Sequence, residues 1–146
     1  MIAVDTNILI YSHREESPWH ERALTQIEGL RNTTAPWAIP WPCIHEFVAI
    51  VTNPRIFATP TPLVTAFATV HAWDAAGNLH LITESSGYLD KLEQISRAAN
   101  LTGARIHDAR IAALCLHHGV RELWTADRDF SLFPQLTTRN PLVSRS

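Results

Sequence analysis

The sequence predicts an α/β protein in which a central parallel sheet is flanked by helices on both faces. Three observations carry that reading. Short apolar runs recur at residues 2–4, 35–40, 79–82 and 121–124. Between them lie longer segments whose apolar residues repeat at helical spacing. Strands separated by helices pair in parallel, because each return to the sheet needs a crossover. With 146 residues, 46% of them hydrophobic and 18% charged, the chain has the size and composition of one globular domain spanning 1–146.

The elements follow in order. Ile2, Ala3 and Val4 form a buried strand that ends at Asp5, and Thr6 or Asn7 starts a short helix carrying Ile8, Leu9 and Ile10. Ser17-Pro18 reads as an N-cap with proline at the first helical position. Ala23, Leu24, Ile27 and Leu30 keep step behind it until Asn32. Residues 35–40 (APWAIP) are extended. A helix from Pro42 to about Thr52 follows, with Ile44, Phe47, Val48 and Val51 on its apolar face, Glu46 on another side, and Asn53-Pro54 as its stop.

Thr61-Pro62 opens a helix through about Ala76, closed by Gly77-Asn78; residues 79–82 (LHLI) are a strand, and 86–99 are helical. After Gly103 the segment RIHDARIAALCLHHG reads as a helix ending at Gly119. Residues 121–124 (RELW) are the last strand, followed at once by TADRDF. The tail 140–146 (NPLVSRS) is expected to be partly loose.

Composition narrows the classes. No apolar run approaches the roughly 20 residues of a membrane span. The N-terminus carries Asp5 and no basic stretch, so no secretory signal is read and a cytoplasmic protein is expected. Cys43 and Cys115 lie far apart in apolar segments without zinc-ligand spacing, which reads as two buried free thiols. The net charge of −2 does not advertise a polyanionic partner. Lys91 is the only lysine among 12 basic side chains, a bias that suits bidentate phosphate contacts and equally a biased coding composition.

In open parallel sheets, ligands bind beyond the carboxyl ends of the strands. Asp5 directly follows the first strand, and Asp127 follows the last. Asp108 lies near the start of a helix, and Glu46 lies inside a mostly apolar one. Each has a purely structural reading: Asp5 as a helix cap, Asp108 as a first-turn acid, Asp127 and Asp129 as an Asx-turn, Glu46 as a solvated side chain. If they converge, their repulsion calls for a hard divalent cation with oxygen ligands, Mg²⁺ or Mn²⁺.

DTNILIY at 5–11, Glu46 in a helix, HDARIAALCLHHG at 107–119 and TADRDF at 125–130 resemble the PIN-domain nucleases. More narrowly, they resemble the VapC toxins of type II toxin–antitoxin pairs, over essentially the whole chain. The resemblance implies a three-layer α/β/α fold and Mg²⁺- or Mn²⁺-dependent endonucleolytic cleavage of RNA, with tRNA or rRNA as the substrate class. It places Asp5, Glu46, Asp108 and Asp127 on the family's acidic quartet. Asp129 falls on a further acidic position, so that Asp5, Asp108, Asp127 and Asp129 are the implied metal ligands. Thr6 and Thr125 match the hydroxyl residues that support the acids. The implied partners are a VapB-like antitoxin and a second copy in a homodimer, with no membrane.

Arg128, Arg14 and Arg110 are candidate phosphate contacts, with Arg22 and Arg55 behind them. Trp19, Trp37 and Trp41 are candidates for base stacking, and equally for core or partner contacts. Two rival functions stand beside the metal-dependent nuclease. A metal-free ribonuclease would use histidines such as His117-His118 as acid and base. A non-catalytic binding module would use the acids to anchor a partner's basic side chains. An aspartyl-phosphate protein is disfavoured, because Asp5-Thr6-Asn7 lacks a second aspartate and Lys91 lies in a helix.

Overall fold

A computed structural model of the chain describes residues 1–143. Its strands are β1 (Ile2–Val4), β2 (Trp37–Pro40), β3 (Leu79–Ile82), β4 (Glu122–Trp124) and β5 (Thr138–Arg139). They form one sheet in the order β3-β2-β1-β4-β5, with every pairing parallel. Six helices connect them: α1 (Thr6–His13), α2 (His20–Arg31), α3 (Trp41–Val51), α4 (Leu63–Asp74), α5 (Tyr88–Ala98) and α6 (Ile106–His117). The predicted parallel sheet with flanking helices is the fold observed.

The strand order fixes where the layers and the site lie. From β1 the chain steps outward to β2 and β3 through α1–α2 and α3–α4. It then crosses back through α5–α6 to place β4 on the other side of β1. Right-handed crossovers in opposite directions put the two helix groups on opposite faces. The contacts agree: α1 packs on α2 and α3, α3 on α4, and α5 on α6. The central strands are dry on both sides, with Ala3, Val4, Trp37, Ala38, Ile39 and Leu123 fully buried. Between β1 and β4 the order reverses, and the splay there opens a crevice at the carboxyl edge.

Local boundaries differ in instructive places. The Ser17 hydroxyl accepts the Trp19 N–H at 3.1 Å, so Ser17–Trp19 forms a turn and α2 begins at His20 rather than at Pro18. Single 3₁₀ turns cover Gly103–Arg105, ahead of α6, and Arg128–Leu132 after β4. β5 has no counterpart in the sequence reading. In the tail, Leu142 is buried and its N–H is held by the Asn140 side chain at 3.0 Å, so this part is packed; residues 144–146 lie outside those described. Cys43 and Cys115 are buried free thiols, as expected. Among the described residues, no helix is long and apolar enough to cross a membrane.

Candidate active site

Asp5 is the first residue past β1 and the N-cap of α1, where its Oδ1 accepts the Thr6 N–H at 2.8 Å. Its backbone N–H continues the sheet by donating to the Trp124 carbonyl at 2.9 Å, which locks it to the end of β4. The carboxylate is 7% exposed and yet well supplied with donors. The Thr125 hydroxyl donates to Oδ2 at 2.8 Å, the Asn7 amide reaches Oδ2 at 3.5 Å, and the Cys43 thiol approaches Oδ1 at 3.5 Å. The two contacts at 3.5 Å are weak. Each oxygen therefore keeps acceptor capacity for a ligand. Burial pushes the Asp5 carboxyl above the ordinary aspartate range, against the lowering effect of the Thr125, Thr6 and Cys43 hydrogen bonds.

The other acids arrive from three elements. Glu46 is exposed on α3, and its Oε2 accepts the Thr6 hydroxyl at 2.7 Å. Asp108 lies in the first turn of α6 and is half-buried. Its carboxyl is also pushed up, first by burial and then by the negative charges of Asp127 and Asp129. Asp127 caps the 3₁₀ turn after β4: its Oδ1 accepts the Asp129 N–H at 2.8 Å, the Asx-turn expected of TADRDF. Its own N–H donates to the Thr125 hydroxyl at 3.0 Å.

These four carboxylates line one cavity of about 240 Å³ at the carboxyl edge of β1 and β4. Thr6, Asn7 and His107 share its polar wall, while Ile10, Ile50, Ile111 and Phe130 form the apolar part. The donors are hard oxygens, which fits a hard divalent cation. Among the described residues no three His, Cys, Asp or Glu side chains close into a cage by themselves. That openness suits an ion that keeps several waters and binds through one or two carboxylates, as Mg²⁺ does.

Other predicted positions fall elsewhere. Asp129 is exposed and does not line the cavity, though its charge reaches Asp108. Arg14 lines a separate hollow of about 710 Å³ beside residues 56–62, with its guanidinium over the Phe57 ring and its donors on Glu16, Thr61 and the Thr59 carbonyl. Arg110 pairs with Glu84 at 3.4 Å. Arg128 is exposed, without an ion pair among the described residues, and none of these three arginines lines the acidic cavity. Arg22 donates to the Pro141 carbonyl at 3.1 Å. Trp37 is fully buried core, and only Trp19 and Trp41 are exposed.

Three site residues escaped the sequence reading. Asn7 bridges the strand ends: its Nδ2 reaches Thr125 at 3.3 Å and its Oδ1 accepts the Ala126 N–H at 3.1 Å. Cys43 stands about one helical turn before Glu46, a spacing that puts the two on related faces of α3. His107 precedes Asp108 and shares its cavity. Spacing from the four acids was the available signal in each case.

A switch-point crevice lined by four carboxylates on a β3-β2-β1-β4-β5 parallel sheet defines an α/β protein with an acidic site. The PIN domain family model matches residues 2–135, and the chain belongs to that family. Its relatives include Ribonuclease VapC43 of Mycobacterium tuberculosis (strain ATCC 25618 / H37Rv), 32% identical over 142 residues that cover 97% of this chain and 96% of the relative. Ribonuclease VapC48 of the same strain is 24% identical over 137 residues, covering 94% of each chain. Among solved structures, VapBC2 from Rickettsia felis, bound to a DNA fragment from its promoter, aligns with TM-score 0.68 and 17% identity over 95% of this chain and 98% of that one. FitAcB from Neisseria gonorrhoeae aligns with TM-score 0.67 and 19% identity over 97% and 98%. Identities this low speak for the shared fold alone.

Proposed function

We propose that residues 1–146 act as a single nuclease domain: a Mg²⁺- or Mn²⁺-dependent endoribonuclease of the VapC type, the toxin of a toxin–antitoxin pair. The observation that carries this reading is the convergence of Asp5, Glu46, Asp108 and Asp127 on one cavity. Relatives across nearly the whole chain that are named ribonucleases supply the substrate class. The partner is taken to be a VapB-like antitoxin, a reading in keeping with the occurrence of this fold in a toxin–antitoxin complex from Klebsiella pneumoniae. The RNA is assigned to the tRNA or rRNA class, the location to the cytoplasm, and the free protein to a homodimer.

The chain's own residues divide the work. Asp5 and Asp108, with help from Asp127, would hold the cation, and Asp129 would add to the negative field from outside the cavity. The Thr125 and Thr6 hydroxyls fix the carboxylates of Asp5 and Glu46. When bound, the divalent ion supplies Lewis acidity and a more acidic water. Glu46, anchored through Oε2, has Oε1 left to orient the attacking water in line with the scissile P–O bond. With water as the nucleophile and the 3′-oxygen as the leaving group, protonated as it departs, cleavage leaves a 5′-phosphate and a 3′-hydroxyl; the 2′-hydroxyl is not the nucleophile, so no cyclic phosphate forms.

The histidine-based alternative has less behind it. His117 is hydrogen-bonded to Ser85 at 2.6 Å and His118 to the Thr83 carbonyl at 2.7 Å, so both brace the β3–α5 connection outside the cavity. Mapping 5′ ends of cellular RNA after brief expression of the protein tests the reading. New 5′-phosphate ends at defined positions, absent with Asp5→Asn, support it; no new ends, or ends that persist with Asp5→Asn, overturn it.

A further inference from the structure

We infer that His107 is the cavity's hydrogen-bond donor to the RNA strand, its imidazole N–H contacting a phosphodiester oxygen beside the acidic cluster. The inference rests on the ribonuclease reading above. Phosphate oxygens are acceptors and carry negative charge, so a wall of ionised carboxylates repels the strand it must cut. Beside a bound cation and the neighbouring Arg105 guanidinium, which acts on Asp108, attraction at the wall itself comes from its side-chain donors.

The inventory of wall donors is short. The Thr6 hydroxyl is committed to Glu46 at 2.7 Å. The Asn7 amide is committed to Thr125 and Asp5, and its carbonyl to the Ala126 N–H. Ile10, Ile50, Ile111 and Phe130 offer no donor. His107 is exposed, lines the same cavity, and has no hydrogen bond, ion pair or ring contact to the described residues. An imidazole carries at least one N–H in either neutral tautomer and two when charged, so the contact does not depend on its protonation. A histidine in a helix's first turn could instead be merely solvated. Its place on the cavity wall beside Asp108, with its donor unspent, distinguishes it from an ordinary surface side chain.

The test uses the full chain with Asp5→Asn as the non-cleaving parent. His107→Ala, His107→Gln and His107→Phe are added to it, and circular dichroism confirms each fold. Binding of a short fluorescein-labelled single-stranded RNA of mixed sequence is read by anisotropy in Mg²⁺. Mn²⁺ affinity is read separately, without RNA, by water-proton relaxation in an otherwise wild-type chain. Loss of a hydrogen bond to a charged group predicts about tenfold weaker RNA binding for the alanine variant. The glutamine variant, which keeps an N–H donor, retains most of the binding, and Mn²⁺ affinity is unchanged throughout. RNA binding unaffected by alanine overturns the inference. So does rescue by phenylalanine and not by glutamine, which marks base stacking, or a parallel loss of Mn²⁺ affinity, which marks an effect on the ion site. A wild-type chain that neither binds nor cuts RNA removes the ribonuclease reading itself, and the inference with it.

Discussion

The Thr125 hydroxyl donates to Oδ2 of Asp5 at 2.8 Å, joining residues 120 positions apart at the carboxyl ends of β4 and β1. The Thr125 hydroxyl oxygen also accepts the Asp127 N–H at 3.0 Å, so one hydroxyl sets two of the four acids. Thr125 is 4% exposed, and water cannot readily replace it. Thr125→Val keeps the shape and leaves a buried carboxylate and an N–H short of a partner, at a cost of about 1–3 kcal/mol. Urea denaturation is expected to show that loss, and RNA cleavage to fall at least about tenfold if comparable stabilisation is withdrawn from the reacting geometry. Thr125→Ser is expected to recover most of both.

Asp5 also makes a prediction about pH. In the metal-free protein, burial raises its carboxyl above the ordinary aspartate range, and Asp108 is raised too. A carboxyl with a raised folded pKa binds more protons folded than unfolded. Its contribution therefore falls as pH rises from the unfolded value, about 3.9, through the higher folded value. Asp5→Asn removes that titration, although its amide would compete with the Asp127 N–H and the Asn7 amide for the Thr125 hydroxyl oxygen. Metal-free Asp5→Asn is expected to lose less stability than wild type between about pH 4 and pH 7, as measured by urea denaturation. Parallel stability curves would contradict the assignment of Asp5 as a buried, costly charge.

Asn7 should behave as a clamp rather than as a reacting group. Its two ends hold Asp5 and Thr125 on one side and the Ala126 N–H on the other. Asn7→Ala frees the 125–127 loop. Asn7→Asp keeps the acceptor for Ala126 but replaces a donor to Asp5 with a second negative charge. The aspartate variant is expected to be the more impaired in cleavage, and to regain part of its stability when Mg²⁺ is raised. Equal activity of the two variants, across a Mg²⁺ titration, would show that the donor end of Asn7 contributes nothing.

Divalent ions should stabilise the folded chain through this cavity. Binding only to the native state at 100 times the dissociation constant adds about 2.7 kcal/mol. Mn²⁺ is therefore expected to raise the melting temperature of wild type by several degrees for a domain of this size, roughly 2–4 °C per kcal/mol. Asp5→Asn and Asp108→Asn should each blunt the shift, whereas Asp129→Asn, outside the cavity wall, should leave most of it. Equal blunting by Asp129→Asn would place the ion nearer the 3₁₀ turn than the cavity.

What could be read from the sequence, and what could not, divides along physical lines. β1 to β4 were legible as short, mostly apolar runs between helical segments; only β2 is buried along its whole length, and the edge strand β3 exposes His80. β5 is two residues long and held by backbone pairing to β4, a contact that leaves no pattern in side chains. The four acids were legible from their places at strand ends and helix turns, and the motif resemblance tied them together. The surroundings of Arg14 and Arg110 were not legible: Glu16, Thr61 and Phe57 hold one at a separate hollow, and Glu84 pairs with the other. Asn7, Cys43 and His107 were missed because amide, thiol and imidazole groups matter here only through what they face across the fold.

The carboxylate-lined cavity is proposed as the cutting centre of a divalent-ion-dependent ribonuclease. The most direct test is cleavage of a labelled structured RNA by purified wild-type protein and by Asp5→Asn, each with Mn²⁺ and again with excess EDTA. Cleavage by wild type that yields 5′-phosphate ends, stops with EDTA, and is lost in a folded Asp5→Asn protein is the result predicted. Cleavage that survives EDTA, or that Asp5→Asn retains, would contradict it.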